Sequence, residues 1–216
     1  VSRTAKIGPA VGGVLRQVLK NLGDEVGAGD PMLVVDSQAA GEAKSGYLSA
    51  VAARDLALAN ARRERALAER SATSQKEVQQ AEADLAASEV AVACFRGRLK
   101  AFGLSDAELD HVLKDRDVSS RLEVPSPIAG TVVSWEGGVG EMLEPSKSVA
   151  TVTDLGHLWV MADVFEADLA KVAVGQYAEF VPDADPACVF KGTVQWVASV
   201  VDPGSRTLPV RIAVDN

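Results

Sequence analysis

The 216-residue sequence has few of the residues that bind metals or form disulfide frameworks. Its two cysteines, Cys94 and Cys188, form no CxxC pair, so the simplest expectation is two small buried apolar side chains. A disulfide between them would require an oxidising compartment. The two histidines and three methionines form no HxxxH or MxxM pair, so no local ligand pair of that kind is present. His111 and His157 are therefore only weak metal candidates, each expected to be exposed or structural.

Other absences exclude whole classes of protein. No run of about 18 apolar residues is present, as a membrane-spanning helix would need. The 22 basic residues are outnumbered by 30 acidic ones, and no dense basic run suggests a nucleic-acid partner. The sequence also lacks a P-loop and a GxGxxG motif, and its carboxylates are scattered, so no catalytic residue and no enzyme are predicted. Val1 opens on ordinary sequence without a visible signal peptide, which processing could have removed.

What is present is apolar but poor in aromatics: hydrophobic residues make up 47% and aromatic residues 5%. This balance favours alanine-rich helices and small β-modules. Self-comparison then aligns residues 13–36 with residues 130–153 without a gap, at an offset of 117. Gly13 and Gly23 match Gly130 and Gly140, and each copy alternates like a strand, a glycine turn and a second strand. Two such half-units should pack on one another, so the residues between them form an insertion that leaves and returns to one place.

The insertion reads as a helical hairpin. Residues 37–102 contain 19 alanines and no proline, and helices are predicted over about 37–70 and 74–102, with Gly41 and Gly46 interrupting the first. Ser74 and Glu77 form a capping box at the second helix, and Ser105 begins a short helix over about 105–114. The short turn makes the two long helices antiparallel. The second helix has a heptad seam typical of a coiled coil, which consists of Val78, Ala81, Leu85, Ser88, Val92, Phe95, Leu99 and Phe102.

Residues 155–216 read as strands separated by proline, aspartate and glycine turns, with a short helix after Phe165. This pattern predicts a small antiparallel β-barrel, with Met161 in its core. The sequence stops directly after a strand, so the barrel is expected to be incomplete or to be closed by residues 1–6. The predicted modules are residues 7–36 with 122–154, residues 37–121, and residues 155–216 with residues 1–6 as a possible addition.

Four stretches in this order resemble the periplasmic adaptor proteins, or membrane fusion proteins, of tripartite efflux systems. The first segments of the four stretches are, in order, LGDEVGAGD at residues 22–30, VPSPIAGTV at 124–132, LWVMADVFEADL at 158–169 and VDPGSRT at 201–207. The segment DSQAAGEA at residues 36–43 is most similar to the heavy-metal branch, of the cobalt-zinc-cadmium resistance-nodulation-division type. The resemblance implies an elongated modular α+β fold: a lipoyl-like β-sandwich split by a coiled-coil hairpin and followed by a β-barrel.

The resemblance also implies a function. Such an adaptor joins an inner-membrane proton-driven transporter to an outer-membrane channel, exports divalent heavy-metal cations, and assembles into a ring, by resemblance a hexamer. It lies in the periplasm, and the full-length protein is anchored at or near the inner membrane. Neither lipoylation nor biotinylation is expected, although the metal cargo itself could bind. The alternative is an adaptor for an ABC-type or multidrug system.

In the family, an R-x3-L-x6-S pattern near the hairpin tip contacts the outer-membrane channel, and Arg63, Leu67 and Ser74 match it here. The simpler interpretation is a solvated arginine, a seam leucine and a helix cap. A more remote alternative is a lipoyl or biotinyl carrier domain, which presents a modifiable lysine at the hairpin joining its two halves. Lys44 lies near that position but lacks the sequence context of a carrier lysine.

Overall fold

The computed structural model describes residues 3–145, 147–182, 189–202 and 204–215. These residues form twelve strands, three α-helices and one 3₁₀ turn at residues 166–171. The strands are β1 Arg3–Ile7, β2 Gly13–Val18, β3 Glu25–Val26, β4 Pro31–Asp36, β5 Arg121–Pro125, β6 Gly130–Trp135, β7 Met142–Leu143, β8 Ala150–Asp154, β9 His157–Phe165, β10 Tyr177–Phe180, β11 Phe190–Val197 and β12 Thr207–Asp215. The helices are α1 Gln38–Glu69, α2 Gln75–Ala101 and α3 Asp106–Asp115.

Strands β1 to β8 form a sandwich of two four-stranded sheets. One sheet has the order β1-β8-β6-β3 and the other has the order β5-β4-β2-β7. Each sheet therefore takes the short strand of the other half of the repeat, because β2 pairs with β7 and β6 pairs with β3. This exchange explains why neither half could bury its apolar face alone.

The two halves are related residue by residue at the predicted offset. In one sheet the register shift lies between Leu15 and Gln17, and in the other it lies between Val132 and Ser134, which are the same positions 117 residues on. Gly23 and Gly140, the glycines of the two turns, both have positive φ, at 90° and 94°. The backbone bonds across the interface repeat in the same way: Leu15 N to Glu141 O, Gly140 N to Leu15 O, Val132 N to Asp24 O, and Gly23 N to Val132 O.

The sandwich core follows the same symmetry. Its twelve buried side chains divide into six pairs separated by 117 residues: Ile7 and Val124, Leu15 and Val132, Val26 and Leu143, Met32 and Val149, Leu33 and Ala150, and Val35 and Val152. Both members of each pair are buried, so two independently variable sequences supply equivalent layers to one core. The split repeat predicted from the sequence is confirmed.

The repeat is one strand longer than the sequence comparison found. Strand β1 pairs with β8 as β5 pairs with β4: Ile7 lies opposite Ala150, and Val124 lies opposite Leu33. The expectation that residues 1–6 could close the C-terminal barrel is corrected accordingly. Arg3–Ile7 belongs to the sandwich, because the free edge of β8 supplies its backbone hydrogen bonds and Ile7 is buried in the sandwich core. Val1 and Ser2 lie outside the described residues.

The insertion leaves and returns at one point, as predicted. Asp36 pairs with Arg121, and Ser37 N donates to Ser120 O at 2.8 Å. Helix α1 runs without a break through its two glycines, which lie where other atoms approach closely. A Cβ on Gly46 would stand 2.2 Å from the Phe95 ring, so glycine lets α2 approach at this level.

The hairpin helices are antiparallel: Gly46 meets Phe95 near the base, and Arg65 Nε donates to Glu82 Oε1 at 2.7 Å nearer the tip. All eight predicted seam positions of α2 and its cap are buried or half-buried. Both predicted capping boxes are present, at Ser74 and at Ser105. The helix boundaries therefore agree with the prediction to within about two residues.

The base of the hairpin has its own core, which joins α1, α2, α3 and β5. Its buried apolar members are Ala40, Ala43, Tyr47, Leu99, Leu104, Leu109, Val112 and Leu122. Lys44 is buried beside this cluster, and its Nζ donates to Asp117 Oδ2 at 2.7 Å and to Arg121 O at 2.8 Å. Burial opposes ionisation of Asp117, but hydrogen bonds from Lys44 and Ser119 outweigh it and lower the pKa to about 2.

The C-terminal strands form a four-stranded antiparallel sheet of order β10-β11-β12-β9. Within the described residues, the sheet is open, since its edge strands β9 and β10 do not pair with each other. Two side-chain predictions here and in the arm are wrong. Met161 is 57% exposed, because it lies on the outer face of β9, and Cys94 is exposed on α2 as a free cysteine. Cys188 lies outside the described residues.

Candidate docking site at the hairpin tip

The turn at the hairpin tip is built around the carbonyl oxygen of Leu67. Helix α1 ends there, and the amides of Arg70 and Ala72 both donate to Leu67 O, at 3.1 and 2.9 Å. Ser71 has a positive φ of 54°, which reverses the chain before Ser74 begins α2. The tip is therefore a short turn whose backbone groups are largely satisfied locally.

Glu77 is the centre of a hydrogen-bond cluster that fixes the start of α2. Its Oε2 lies 2.6 Å from the Thr73 hydroxyl, accepts from Ser74 N at 2.9 Å, and lies 3.0 Å from Ser74 Oγ. These bonds, first from Thr73 and then from Ser74, lower the pKa of Glu77. The Thr73 hydroxyl also lies 2.9 Å from Glu64 Oε2 on α1. The cluster thus ties both helices together immediately below the turn.

The structure places two residues of the docking motif within the last two turns of α1, and the third is the N-cap residue that precedes α2. Arg63 is exposed, and its Nη2 donates to Asn60 Oδ1 at 3.0 Å. Leu67 is half-buried and lies one turn further on, so both side chains occupy the same face of α1. Ser74 is exposed and caps α2, which confirms the structural interpretation of this residue.

A groove between α1 and α2 extends from Arg63 toward the base, a feature that sequence reasoning missed. Its volume is about 370 Å³, and its lining comprises Ala53, Leu56, Ala57, Asn60, Arg63, Glu64, Glu77, Gln80, Ala81 and Asp84. Leu56 is 65% exposed there. The alanines and Leu56 supply its apolar lining, while the charged residues Arg63, Glu64 and Glu77 lie at the end nearest the tip. The available signal in the sequence was Leu56 within an alanine-rich stretch.

The two histidines lie on separate elements, each beside a single carboxylate. His111 Nε2 is 3.1 Å from Asp115 on α3, and His157 Nδ1, at the start of β9, is 3.2 Å from Asp154 at the end of β8. Both histidines are exposed, as predicted. Among the described residues, no three His, Cys, Asp or Glu side chains form a group that could hold a metal ion.

Lys44, the residue considered for cofactor attachment, is buried rather than presented at a turn. Its side chain is 5% exposed and its Nζ is held by Asp117 and by the Arg121 carbonyl. An attachment lysine must reach an external enzyme and carry its cofactor outward. The Lys44 amine cannot do so without leaving the base of the hairpin.

Comparison with known proteins decides the family. Residues 3–154 match the family model described as CzcB-like, barrel-sandwich hybrid domain, and residues 157–216 match the CusB-like, beta-barrel domain. The chain belongs to the CzcB-like family. This confirms the predicted kinship with the membrane fusion proteins and with their heavy-metal branch.

Individual relatives agree with the family assignment. The CzcB-like chain is 27% identical over 214 residues to the cation efflux system protein CzcB of Alcaligenes sp. (strain CT14), covering 99% of this chain and 39% of that protein. It thus spans about two-fifths of that curated relative. The crystal structure of ZneB from Cupriavidus metallidurans is 30% identical, with a TM-score of 0.56, over 100% of this chain and 86% of that one.

A third comparison concerns the fold alone. A MacA-MexA chimera containing the Pseudomonas aeruginosa MexA α-hairpin domain is 24% identical, with a TM-score of 0.73, over 100% of this chain and 72% of that one. A sandwich interrupted by a helical hairpin is therefore an arrangement that the CzcB-like chain shares with solved structures. Within the described residues, none of the helices combines the length and apolarity that a membrane span requires.

Proposed function

We propose that this CzcB-like chain is the central part of a periplasmic adaptor that has no catalytic activity of its own. The observation that carries the proposal is the order of its modules: a sandwich and a C-terminal sheet that match two adaptor-family domains, with a helical hairpin inserted between the two halves of the sandwich. In the full-length protein, anchored at or near the inner membrane, the sandwich and barrel would lie near a resistance-nodulation-division transporter. The hairpin, packed as a coiled coil, would reach an outer-membrane channel.

The hairpin tip is the proposed contact with that channel. Arg63 offers exposed donors, Leu67 offers a half-buried apolar contact, and Ser74 offers a hydroxyl at the helix start. The locally satisfied turn supports this proposal, because a partner can dock there without having to rearrange the backbone. Side-by-side association into a ring, by resemblance a hexamer, would bring several tips together and multiply a weak individual contact.

The test is a triple variant of the full-length protein, Arg63→Asp, Leu67→Asp and Ser74→Arg, in a strain that depends on the pump. We expect it to lose co-purification with the outer-membrane channel and to reduce resistance to that of a deletion strain. The control is Arg62→Asp, which makes the same charge change at an exposed neighbour on another face of α1. A triple variant that still captures the channel and confers resistance would show that the tip assignment is wrong.

Ser74 needs a separate control because it also caps α2. Ser74→Asn keeps a capping side chain while replacing the hydroxyl. A second triple variant therefore combines Arg63→Asp and Leu67→Asp with Ser74→Asn. If the first triple variant loses the channel but the second behaves like the wild type, fraying of α2 caused the loss of binding, rather than the loss of a contact.

The proposed cargo is a divalent heavy-metal cation, supported by the names of the relatives rather than by a metal site among the residues that the structure describes. A deletion strain complemented with the full-length gene should regain resistance to cobalt, zinc or cadmium salts and not to organic drugs. Restored resistance to organic drugs alone would favour the alternative, an adaptor for an ABC-type or multidrug system.

Export in this proposal is mechanical, so the chain itself need not bind the ion. Calorimetric titration with Zn²⁺ is expected to give no binding tighter than micromolar, and replacement of His111 and His157 by Gln should leave the isotherm unchanged. A tight site that these replacements remove would mean that this part of the adaptor hands metal to the pump.

A further inference from the structure

The outer face of the C-terminal sheet carries an apolar depression on a different module from the hairpin tip. Its volume is about 430 Å³, and its lining consists of Trp159, Met161, Trp196 and Arg211. The register brings these residues together, because Arg211 on β12 lies opposite Met161 on β9 and opposite Trp196 on β11. They therefore occupy three neighbouring strands on one face of the sheet.

These side chains are unusually exposed for their type. Trp159, Met161 and Trp196 are 37%, 57% and 43% exposed. The third tryptophan of the chain, Trp135, instead packs against the sandwich core and donates its Nε1 to Gly137 O. In a sequence with 5% aromatic residues, two of the three tryptophans thus lie in one exposed depression.

The fold of this sheet does not require them. Its buried apolar positions, which include Val194, Val210 and Val214, lie on the opposite face. An antiparallel sheet needs only one apolar face to build a core. Exposed tryptophan, methionine and arginine together are the residue types enriched where proteins bind one another.

Arg211 has a buried hydrogen-bond donor that lacks an acceptor in the depression. Its guanidinium stacks over the Trp159 ring at 4.4 Å from the centroid. Its Nε is buried and has no hydrogen-bond acceptor among the described residues. A buried donor without an acceptor destabilises the protein until an acceptor arrives, and a carboxylate is the strongest acceptor for a guanidinium.

We propose that this face is a docking surface for a segment of a partner protein that presents a carboxylate between apolar side chains. The indoles and the thioether take the apolar groups, and Arg211 takes the carboxylate, so shape and charge select the same ligand. Because Nε is covered, the carboxylate must displace part of one covering side chain. Met161 is the most exposed of the three neighbours of Arg211 and has the most flexible side chain.

The test is a fluorescence titration of the full-length protein carrying Trp135→Phe. In this variant the remaining tryptophans of the present sequence, Trp159 and Trp196, both lie in the depression, and any tryptophan outside this sequence is replaced by Phe as well. The probes are the peptides acetyl-Leu-Glu-Leu-amide and acetyl-Leu-Gln-Leu-amide. We expect the Glu peptide to bind about fivefold more tightly, since only it offers a charged acceptor. Arg211→Gln should remove this preference, whereas Lys191→Gln, the same loss of charge elsewhere on the sheet, should retain it.

A second variant keeps the test valid if Arg211→Gln does not fold. Met161→Glu places a carboxylate opposite Arg211 on the neighbouring strand. This internal carboxylate should compete with the Glu peptide for the Arg211 guanidinium and weaken its binding. Equal affinity for the two peptides, or an Arg211→Gln protein that retains the preference, overturns the proposal. Sedimentation of the same variants tests for a second copy as the occupant. If Arg211→Gln weakens self-association and Lys191→Gln does not, the depression binds a second copy of this chain and the proposal of a different partner protein is wrong.

Discussion

In the sandwich, twelve buried side chains from both halves of the repeat close a single core, whereas between residues 51 and 98 of the hairpin only Ala61 is buried. The sandwich therefore depends on side-chain burial across long sequence separations. The outer part of the hairpin depends on alanine's helix propensity, on its half-buried seam, on a capping box and on surface ion pairs.

This difference separates the residues whose identity the fold requires from the residues that are free to vary for contact with a partner. A packed core tolerates few changes, because each one leaves a cavity or forces atoms apart. A two-helix arm leaves most of each helix in solvent, and its sequence can vary to suit a partner. The same contrast predicts where substitutions will have large effects and where they will have small ones.

The largest effect is expected in the sandwich core. Leu143→Ala removes a fully buried side chain from β7 and should lower the free energy of unfolding by about 2–5 kcal/mol. The matched change in the arm, Leu56→Ala at a 65% exposed position, should alter it by no more than about 0.5 kcal/mol. Urea unfolding of the two variants measures both values, and equal losses would contradict the contrast between core and arm.

The next effect is expected at the base, where the arm does have a core. Lys44→Met leaves Asp117 without its ammonium partner and should cost about 2 kcal/mol. This is below the roughly 3–5 kcal/mol of a fully buried pair, because Asp117 is partly exposed. Lys171→Met breaks an exposed ion pair of the same 2.7 Å length and should cost about 0.5 kcal/mol or less. Similar losses in the two variants would mean that burial adds nothing to the Lys44 pair.

The same pair predicts a pH dependence. The pKa of Asp117 is about 2 in the folded protein and has its ordinary value of 3.8 when unfolded, so the unfolded chain takes up its proton first as the pH falls. The contribution of this group is therefore complete above about pH 4 and is lost as the pH falls through about 2. Unfolding measured across this interval should show a shallower decline in Lys44→Met than in the wild type.

Some of this architecture was predictable from the sequence because its signals are local or periodic. Glycines at matched positions revealed the repeat, and alanine content with two Ser-to-Glu capping boxes gave the helix boundaries. The first strand of each half, β1 and β5, was missed because RTAKI and RLEVP share little beyond alternation. Their partners are selected by tertiary pairing with β8 and β4.

Other features depend on which face of an element meets the core, and alternation alone cannot decide that. Both faces of β9 are apolar, with Leu158, Val160 and Val164 on one side and Trp159 and Met161 on the other. The wrong face was therefore chosen for Met161. Likewise, nothing near Lys44 in the sequence indicates its partner, which lies 73 residues away. The positions of Arg63, Leu67 and Ser74 at the tip follow from the hairpin, while their role in docking remains a prediction.

A smaller effect is expected where α2 begins. Ser74→Ala removes the hydroxyl that accepts from Glu77 N and should cost about 1 kcal/mol. The loss should be confined to the tip, since little packing connects it to the base. Hydrogen exchange should therefore accelerate at the first amides of α2 and not in the sandwich, and Ser74→Asn should restore most of the protection. Faster exchange throughout the chain would mean that the arm and the sandwich unfold as one unit.

The smallest effect has the opposite sign and tests whether propensity or packing controls the arm. Gly97 is an exposed position in α2, and a Cβ there would meet no other atom within 4 Å. Gly97→Ala should therefore stabilise the protein by about 0.5–1 kcal/mol, through better helix propensity. Gly46→Ala makes the same change where the new Cβ would stand 2.2 Å from the Phe95 ring, so the gain should be reversed there. Thermal unfolding of the two variants distinguishes the cases, because stabilisation by both would show that α2 can shift away from α1 at little energetic cost.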